Sequence, residues 1–213
     1  MLLINPDLDT YTQPPEFKPF TYASFPTAIG YLAGYVREKN NAKILIHDEQ
    51  LSLLDNNTLK EKIAAIEGPM IVGISVLTGT AKRAYEITRE IKRINQNVVV
   101  VVGGIHPTAL PNEPFDKTPV DIVVRGEGEI TLSEIYKSLL GELDLKEING
   151  ITYRSNSEII HNPPRPLVEL EAFPPFPYDL FEDNLELYPD FGTIMSSRGC
   201  PFSCTFCSQR IIS

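Results

Sequence analysis

The sequence predicts an α/β fold, in which a doubly wound, five-stranded parallel sheet of flavodoxin-type order 2-1-3-4-5 is followed by a hairpin and a Pro-rich linker. Three observations predict this fold. Short apolar runs recur through the first 126 residues. Three of these runs are nearly continuous rather than alternating, as is typical of strands covered by helices on both faces. Helical patterns separate most of the runs, so the connections should be right-handed crossovers between parallel strands.

The predicted strands cover residues 1–5, 42–47, 70–76, 97–104 and 121–126. In a sheet of this order, strands 2 and 3 lie on opposite sides of strand 1. Ligands of such folds bind outside the carboxyl ends of the strands, where the order of the strands reverses. The sequence therefore directs the search for a site to this carboxyl edge.

Helices are predicted between the strands and after the last of them. The first begins after Ser24, a candidate N-cap followed by Pro26 in the first turn, and it runs to about Lys39. The connection after the fourth strand is rich in proline and is expected to hold only a short turn of helix. Further helical patterns cover residues 57–68, 78–95 and 128–141.

The character of the sequence changes after Gly141. Residues 148–162 contain two β-rich runs around a Ser-Asn-Ser turn, which predicts a hairpin. The Pro-rich stretch that follows cannot form a long helix and is expected to be an extended linker that wraps the domain. The expected organisation is a ligand-binding domain, then the hairpin and linker, then the beginning of another domain, over residues 1–145, 146–190 and 191–213 respectively.

The composition excludes several classes of protein. The chain has 213 residues and a formal net charge of −9, which argues against a nucleic-acid or anionic-membrane surface. No run approaches the roughly 18 apolar residues of a membrane span. The first ten residues lack the basic start of a signal peptide. An odd number of closely spaced cysteines fits a reducing, cytoplasmic setting better than a disulfide framework.

The cysteines form one cluster near the end of the chain. Cys200, Cys204 and Cys207 have the spacing Cys-x3-Cys-x2-Cys and are the only cysteines present. Three thiolates this close can bind one metal centre, and soft sulfur ligands select an iron–sulfur cluster or zinc. A structural zinc site commonly has four ligands, and no histidine is adjacent in sequence. An iron–sulfur cluster with three protein ligands would leave one iron open.

The stretch "RGCPFSCTFC" resembles the signature of the radical S-adenosylmethionine (SAM) superfamily, with the aromatic Phe206 before the last cysteine. The resemblance covers residues 191–213 and implies the start of a truncated TIM-type barrel. It implies that Cys200, Cys204 and Cys207 bind a [4Fe-4S] cluster whose open iron chelates SAM. Phe206 would lie near the adenine. Reductive cleavage of SAM then yields a 5'-deoxyadenosyl radical in that family.

The sequence before the cysteines resembles the cobalamin (B12)-binding domain that precedes the barrel in one class of radical SAM enzymes. "GISVLTGT" matches the Ser-x-Leu of that family with Ser75 and Leu77, and "VVVGGIHPT" matches its Gly-Gly with Gly103 and Gly104. The resemblance implies that these residues and Thr78 hold the cobalamin tail. The Asp-x-His-x-x-Gly motif of the methionine-synthase type is absent, so no histidine from that motif would ligate cobalt.

Some of these residues also have a structural explanation that needs no ligand. Ser75 is equally suited to cap the next helix. Glu127, within "VRGEGE", is a candidate cofactor-binding residue, although a carboxylate near a helix start also suits the helix dipole. His106 is expected on a solvated loop after the fourth strand.

The resemblance as a whole implies the N-terminal part of a B12-dependent radical SAM enzyme. The expected reaction is methyl transfer or an oxidative cyclisation like that of the anaerobic magnesium-protoporphyrin monomethyl ester cyclase. The resemblance also implies a small-molecule substrate and a reductant such as ferredoxin or flavodoxin. The 213-residue chain is expected to be inactive by itself and to hold no catalytic residue. The alternative is a non-enzymatic Rossmann-like binding module with a structural zinc knuckle.

Overall fold

A computed structural model of the chain describes residues 1–7, 23–156, 158–190, 192, 195–200, 202, 204, 205 and 207. One mixed sheet organises these residues, with strand order β2-β1-β3-β4-β5-β6-β7. Its strands are β1 (Leu2–Asn5), β2 (Leu45–Asp48), β3 (Ile71–Ser75), β4 (Val99–Gly103), β5 (Ile122–Val124), β6 (Ile151–Ser155) and β7 (Glu158–His161).

The first five strands are parallel and follow the predicted order 2-1-3-4-5. The α/β fold class is therefore confirmed. The sheet has seven strands rather than five, because the predicted hairpin β6–β7 pairs antiparallel with β5. The side chain of Arg125, just after β5, donates to the main-chain carbonyl of Ile151 at 3.0 Å, and this bond ties the hairpin to the parallel sheet.

Six α-helices lie in the described part of the chain: α1 (Thr27–Asn40), α2 (Asn56–Ala64), α3 (Ala81–Ile94), α4 (Ile105–Ala109), α5 (Glu113–Lys117) and α6 (Glu129–Leu139). The Pro-rich connection after β4 thus holds two short helices rather than one turn. None of the helices in the described ranges is both long and apolar enough to cross a membrane.

The predicted cap of α1 is wrong. Pro26 occupies the N-cap position, and no side chain caps this helix. Ser24 is held instead by Gln50, because its main-chain N–H donates to Gln50 Oε1 at 3.1 Å and its carbonyl accepts from Gln50 Nε2 at 3.1 Å. Two interactions with the neighbouring loop have replaced the local cap.

Alternation along the strands divides the core into two layers. Leu2, Ile4 and Val72 belong to the layer under α2 and α3. Leu3 and Val101 belong to the layer under α1 and α6. Because successive side chains of a strand point to opposite faces, each parallel strand contributes to both layers, which explains its nearly continuous apolar sequence.

The Pro-rich linker packs on α1. It contains two 3-10 helices, Leu170–Ala172 and Tyr178–Leu187. Phe176 lies over Gly30, where a Cβ would overlap the ring, and Pro177 lies 3.1 Å from the position of a Cβ on Gly34. Small residues on one face of α1 thus create the groove that the linker occupies.

An aromatic cluster continues this contact. Phe25 packs on Phe176, Phe181 and Tyr188, with ring centroids 5.0 to 5.3 Å apart. The hydroxyl of Tyr188 donates to Asp48 Oδ2 at 2.8 Å. The expectation that the linker wraps the domain is therefore correct, and its contacts extend from α1 to the end of β2.

Replacing Gly30 by alanine tests the packing of the linker. In an exposed helix this change stabilises by about 1 kcal/mol, but the overlap with Phe176 should make Gly30→Ala lower the free energy of unfolding by about 1–3 kcal/mol. Urea denaturation measures the change. In a Phe176→Ala background the same substitution should be neutral or stabilising. Gly34→Ala, which meets only Pro177, is the matched control and should cost less. Equal losses in both backgrounds would contradict the packing.

Candidate functional site

A cavity of about 1070 Å³ opens at the carboxyl edge of the parallel sheet. It lies on the sheet face that α1 and α6 cover, and the linker and the segment before the cysteines complete its walls. Its volume is just above the about 300–1,000 Å³ that is usual for ligand pockets. The site therefore has the position that ligands occupy in doubly wound folds.

The floor of the cavity is a part of the sheet in which two of the residues are glycines. Gly73 pairs with Leu3 on β1 and with Val101 on β4, and Ser75 pairs with Gly103. All five residues line the cavity. A Cβ on Gly73 would lie 2.7 Å from Leu3 Cδ2. The two glycines thus leave a hollow between the sheet and the helices.

Gly104 makes the turn from β4 into α4. Its φ is +112°, in the region that favours glycine, and a Cβ there would lie 2.7 Å from the carbonyl oxygen of Val76. The main-chain N–H of His106 donates to that same carbonyl at 3.3 Å. Gly104 is therefore required by the close approach of the loops after β3 and β4, and both glycines of the pair line the cavity.

The three candidate cofactor-binding residues at and after the end of β3 lie in different environments in the structure. Ser75 lines the cavity, and the helix-capping alternative does not apply, because α3 begins after Thr80, without a side-chain cap. Leu77 is 46% exposed on the loop. The hydroxyl of Thr78 lies 3.3 Å from His106 Nδ1. Of these three candidates, the structure brings only Ser75 to the cavity wall.

His106 is buried, so the expectation of a solvated loop residue is wrong. Its side chain lies in α4 and is 6% exposed. Nε2 is 3.2 Å from the hydroxyl of Tyr85, which also donates to Glu113 Oε1 at 3.4 Å. Burial, followed by the charge of Glu113, raises the pKa of Tyr85 above its ordinary value. The imidazole thus connects Tyr85 to Thr78 and fixes the loop after β3.

Glu127 and Glu129 form the wall at the start of α6, and both pair with Arg198. Arg198 Nη2 lies 2.6 Å from Glu129 Oε1, and Nη1 lies 3.4 Å from Glu127 Oε1. Burial alone would lower the pKa of Arg198, but the hydrogen bond and charge of Glu129, together with Glu127, raise it. Glu127 Oε2 also accepts from the main-chain N–H of Val168 on the linker at 3.4 Å. The carboxylate of Glu127 is therefore engaged by protein groups.

The cysteines lie at the mouth of the cavity. Cys200 and Cys207 line it, and all three thiols are free and exposed. The N–H of Cys207 donates to the carbonyl of Cys204 at 3.2 Å. Within the described ranges, no three metal-binding side chains converge on one point. Phe206 lies outside the described residues.

Two residues of the site were missed by the sequence analysis. Gly73 interrupts an apolar strand, and a glycine in such a place often marks the close approach of a ligand or of another backbone. Arg198 stands two residues before Cys200, within the motif itself. No signal in the sequence relates it to Glu129, because the contact spans 69 positions.

A protein-family model described as "B12 binding domain" matches residues 20–136. The chain is 39% identical over 193 residues to the uncharacterized methyltransferase PH0819 of Pyrococcus horikoshii, covering 87% of this chain and 41% of that protein. It is 29% identical to the anaerobic magnesium-protoporphyrin IX monomethyl ester cyclase of Rubrivivax gelatinosus, covering 86% and 35% respectively. The chain thus spans less than half the length of these relatives.

The fold also matches a solved structure. OxsB, a cobalamin-dependent SAM radical enzyme solved with aqua-cobalamin and SAM bound, superposes with a TM-score of 0.64 and 28% identity. The match covers 78% of this chain and 22% of OxsB. The similarity therefore includes most of the sheet-containing part of the chain.

Replacing Tyr85 by phenylalanine tests the buried hydroxyl network. Because the native state raises the pKa of the phenol, only the unfolded chain loses this proton just above about pH 10. The free energy of unfolding should therefore fall as the pH rises from about 10 to 12, and Tyr85→Phe should lessen this fall. Urea denaturation across this range measures it. Below about pH 9 the difference between the two proteins should be constant. An identical fall in both proteins would contradict the buried phenol.

Proposed function

This chain belongs to the B12-binding domain family, and from that premise we propose that its cavity binds the cobalamin of a radical SAM enzyme. The hollow over Gly73 and Gly103 is the observation that carries the proposal. It lies at the sheet edge where doubly wound folds bind ligands. The similarity to OxsB, which was solved with aqua-cobalamin and SAM, supports it.

The residues that face the hollow fit the tail of cobalamin. An aromatic base and its sugar need a narrow apolar slot with a few polar groups, and such slots are usual in cofactor sites. Leu3, Val101 and Val124 supply apolar walls, Ser75 supplies a hydroxyl, and Gly103 permits close approach of the ligand. In this proposal Leu77 and Thr78 define the shape of the loop after β3, beside the cavity. The contact between the hydroxyl of Thr78 and His106 Nδ1 holds this loop in place.

The cysteines fit an iron–sulfur cluster by their chemistry. Cys200, Cys204 and Cys207 are free and exposed thiols, and three thiolates leave one iron of a [4Fe-4S] cluster for another ligand. The adjacency of Cys200 and Cys207 to the cavity supports a common site for both cofactors. Phe206 would contact SAM in this proposal.

The two groups would supply different parts of the chemistry: the cluster provides an electron for cleavage of SAM, and cobalamin provides a carrier for a methyl group or a second redox centre. The residues of this chain bind and orient them. The apolar hollow excludes water from the tail. Arg198, Glu127 and Glu129 hold the cysteine segment beside the cavity. No described side chain is assigned a proton transfer.

In this proposal, the residues that bind the substrate lie in the part of the longer relatives that this chain does not match. The relatives described above are an uncharacterized methyltransferase and a cyclase. We therefore infer a B12-dependent radical SAM enzyme that modifies a small molecule by methyl transfer or oxidative cyclisation. A protein reductant such as ferredoxin or flavodoxin would supply the electron. The organisation into a cobalamin domain (residues 1–145), a hairpin and linker (146–190) and the start of the radical SAM domain (191–213) is part of this proposal.

Titration with hydroxocobalamin tests the cavity. The chain should change the visible spectrum of hydroxocobalamin and should melt at a higher temperature with the ligand bound. Gly73→Val fills the hollow and should weaken binding by about tenfold or more. Val72→Ala is the matched control, because Val72 lies in the opposite layer of the core and costs stability without touching the cavity. If the unaltered chain shows no spectral change and no shift in melting temperature with the ligand, cobalamin binding is refuted.

Anaerobic reconstitution with iron and sulfide tests the cysteine cluster. We expect about four iron atoms per chain and a broad absorbance band near about 400 nm. Replacing Cys200, Cys204 and Cys207 by serine should abolish both, because serine does not replace a soft thiolate ligand. Thr205→Ala, which lies between two of the cysteines, is the control and should leave the iron content unchanged. A colourless protein with one zinc per chain would instead support the zinc-knuckle alternative.

A further inference from the structure

Arg198 connects parts of the chain that are distant in sequence. Its guanidinium pairs with Glu129 at 2.6 Å and with Glu127 at 3.4 Å, both at the start of α6. It also lies 4.5 Å from the ring centroid of Phe173 on the linker and 5.7 Å from that of Tyr31 on α1. The arginine therefore joins the segment before the cysteines to the sheet domain and to the linker.

The contact is largely removed from water. The side chains of Arg198, Glu127 and Glu129 are only 16%, 12% and 7% exposed. Two carboxylates held this close together repel each other unless a cation lies between them. Shielded from solvent, the pairing is screened less by water and salt than an exposed ion pair such as Arg37 with Asp179, and loss of the arginine would leave two largely buried carboxylates without it.

The same contact joins two walls of the cavity. Residues 126–129 form one wall of the cavity and residues 195–200 form another, and Arg198 is the charged side chain that joins them. Cys200 lies two positions beyond it and lines the same cavity. Glu127 also accepts from Val168 of the linker wall. Arg198 therefore holds the segment before the cysteines against the opposite wall of the cavity, in addition to the hydrogen bond from the main-chain N–H of Met195 to the hydroxyl of Tyr31.

We propose that Arg198 is a positioning residue, a latch that holds residues 195–200 against Glu127 and Glu129 and thereby couples occupation of the cavity to the placement of the cysteine segment. This inference rests on the proposed binding of cobalamin in the cavity. The coupling is reciprocal: a closed latch strengthens binding of the ligand, and the bound ligand holds residues 195–200 in place. The two cofactor sites are then linked by contacts within this chain.

Cyanocobalamin is a suitable probe, because its cyanide ligand disfavours direct reaction of the cobalt with the nearby thiols. Arg198→Gln should weaken cyanocobalamin binding by the 213-residue chain by about tenfold. Arg37→Gln is the matched control, since it removes an exposed ion pair between α1 and the linker away from the cavity. Its affinity should stay within about twofold of that of the unaltered chain.

Hydrogen exchange distinguishes a latch from a merely structural contact. Cyanocobalamin should slow amide exchange over residues 195–200 in the unaltered chain and in Arg37→Gln, but not in Arg198→Gln. Arg198→Lys keeps the charge but loses the planar fork that reaches two carboxylates, so it should restore part of the protection. This variant also serves if Arg198→Gln does not fold.

The outcomes separate this inference from the proposed function. Cyanocobalamin that binds the unaltered chain and the arginine variants equally, with equal protection of residues 195–200, overturns the latch and leaves the function standing. Absence of binding to the unaltered chain refutes the function. In that case, unchanged exchange of residues 195–200 between the ligand-free unaltered chain and Arg198→Gln would overturn the latch as well.

Discussion

Two glycines on one face of the sheet create the hollow around which the loops, the linker and the cysteine segment are arranged. The pleat puts Gly73 and Gly103 on the face covered by α1 and α6, beside Leu3 and Val101 on the neighbouring strands. A larger residue at either position would fill the layer with a side chain, as happens everywhere else on these strands. The hollow is therefore a consequence of register, and it opens at the carboxyl edge where the loops converge.

The surrounding structure keeps this hollow open and defined. Gly104 allows the loops after β3 and β4 to approach each other, and the buried His106 links Tyr85 to Thr78 behind them. On the other side, the linker packs on α1 through Phe176 and contributes a wall of the cavity. Arg198 then brings the cysteine segment to the same opening. Local backbone requirements and long-range contacts thus converge on one site.

The sequence predicted the parallel sheet and its order, because strands buried on both faces leave apolar runs that need no tertiary information. It also located Ser75, Gly103 and Gly104 at strand ends. The pairing of β6 with β5 could not be predicted, because two β-rich runs around a turn fit an isolated hairpin as well as a hairpin added to the edge of a sheet. Ser24 failed as a cap because Gln50, a residue 26 positions away, engages its main chain. Burial of His106 and the pairing of Arg198 depend on similarly distant partners.

A crystal structure of the chain grown with cobalamin would locate the bound ligand. We expect density for the nucleotide tail between the sheet and helices α1 and α6, in contact with Gly73, Ser75 and Gly103. Cobalamin bound at another surface, with side chains closing the hollow, would contradict this placement.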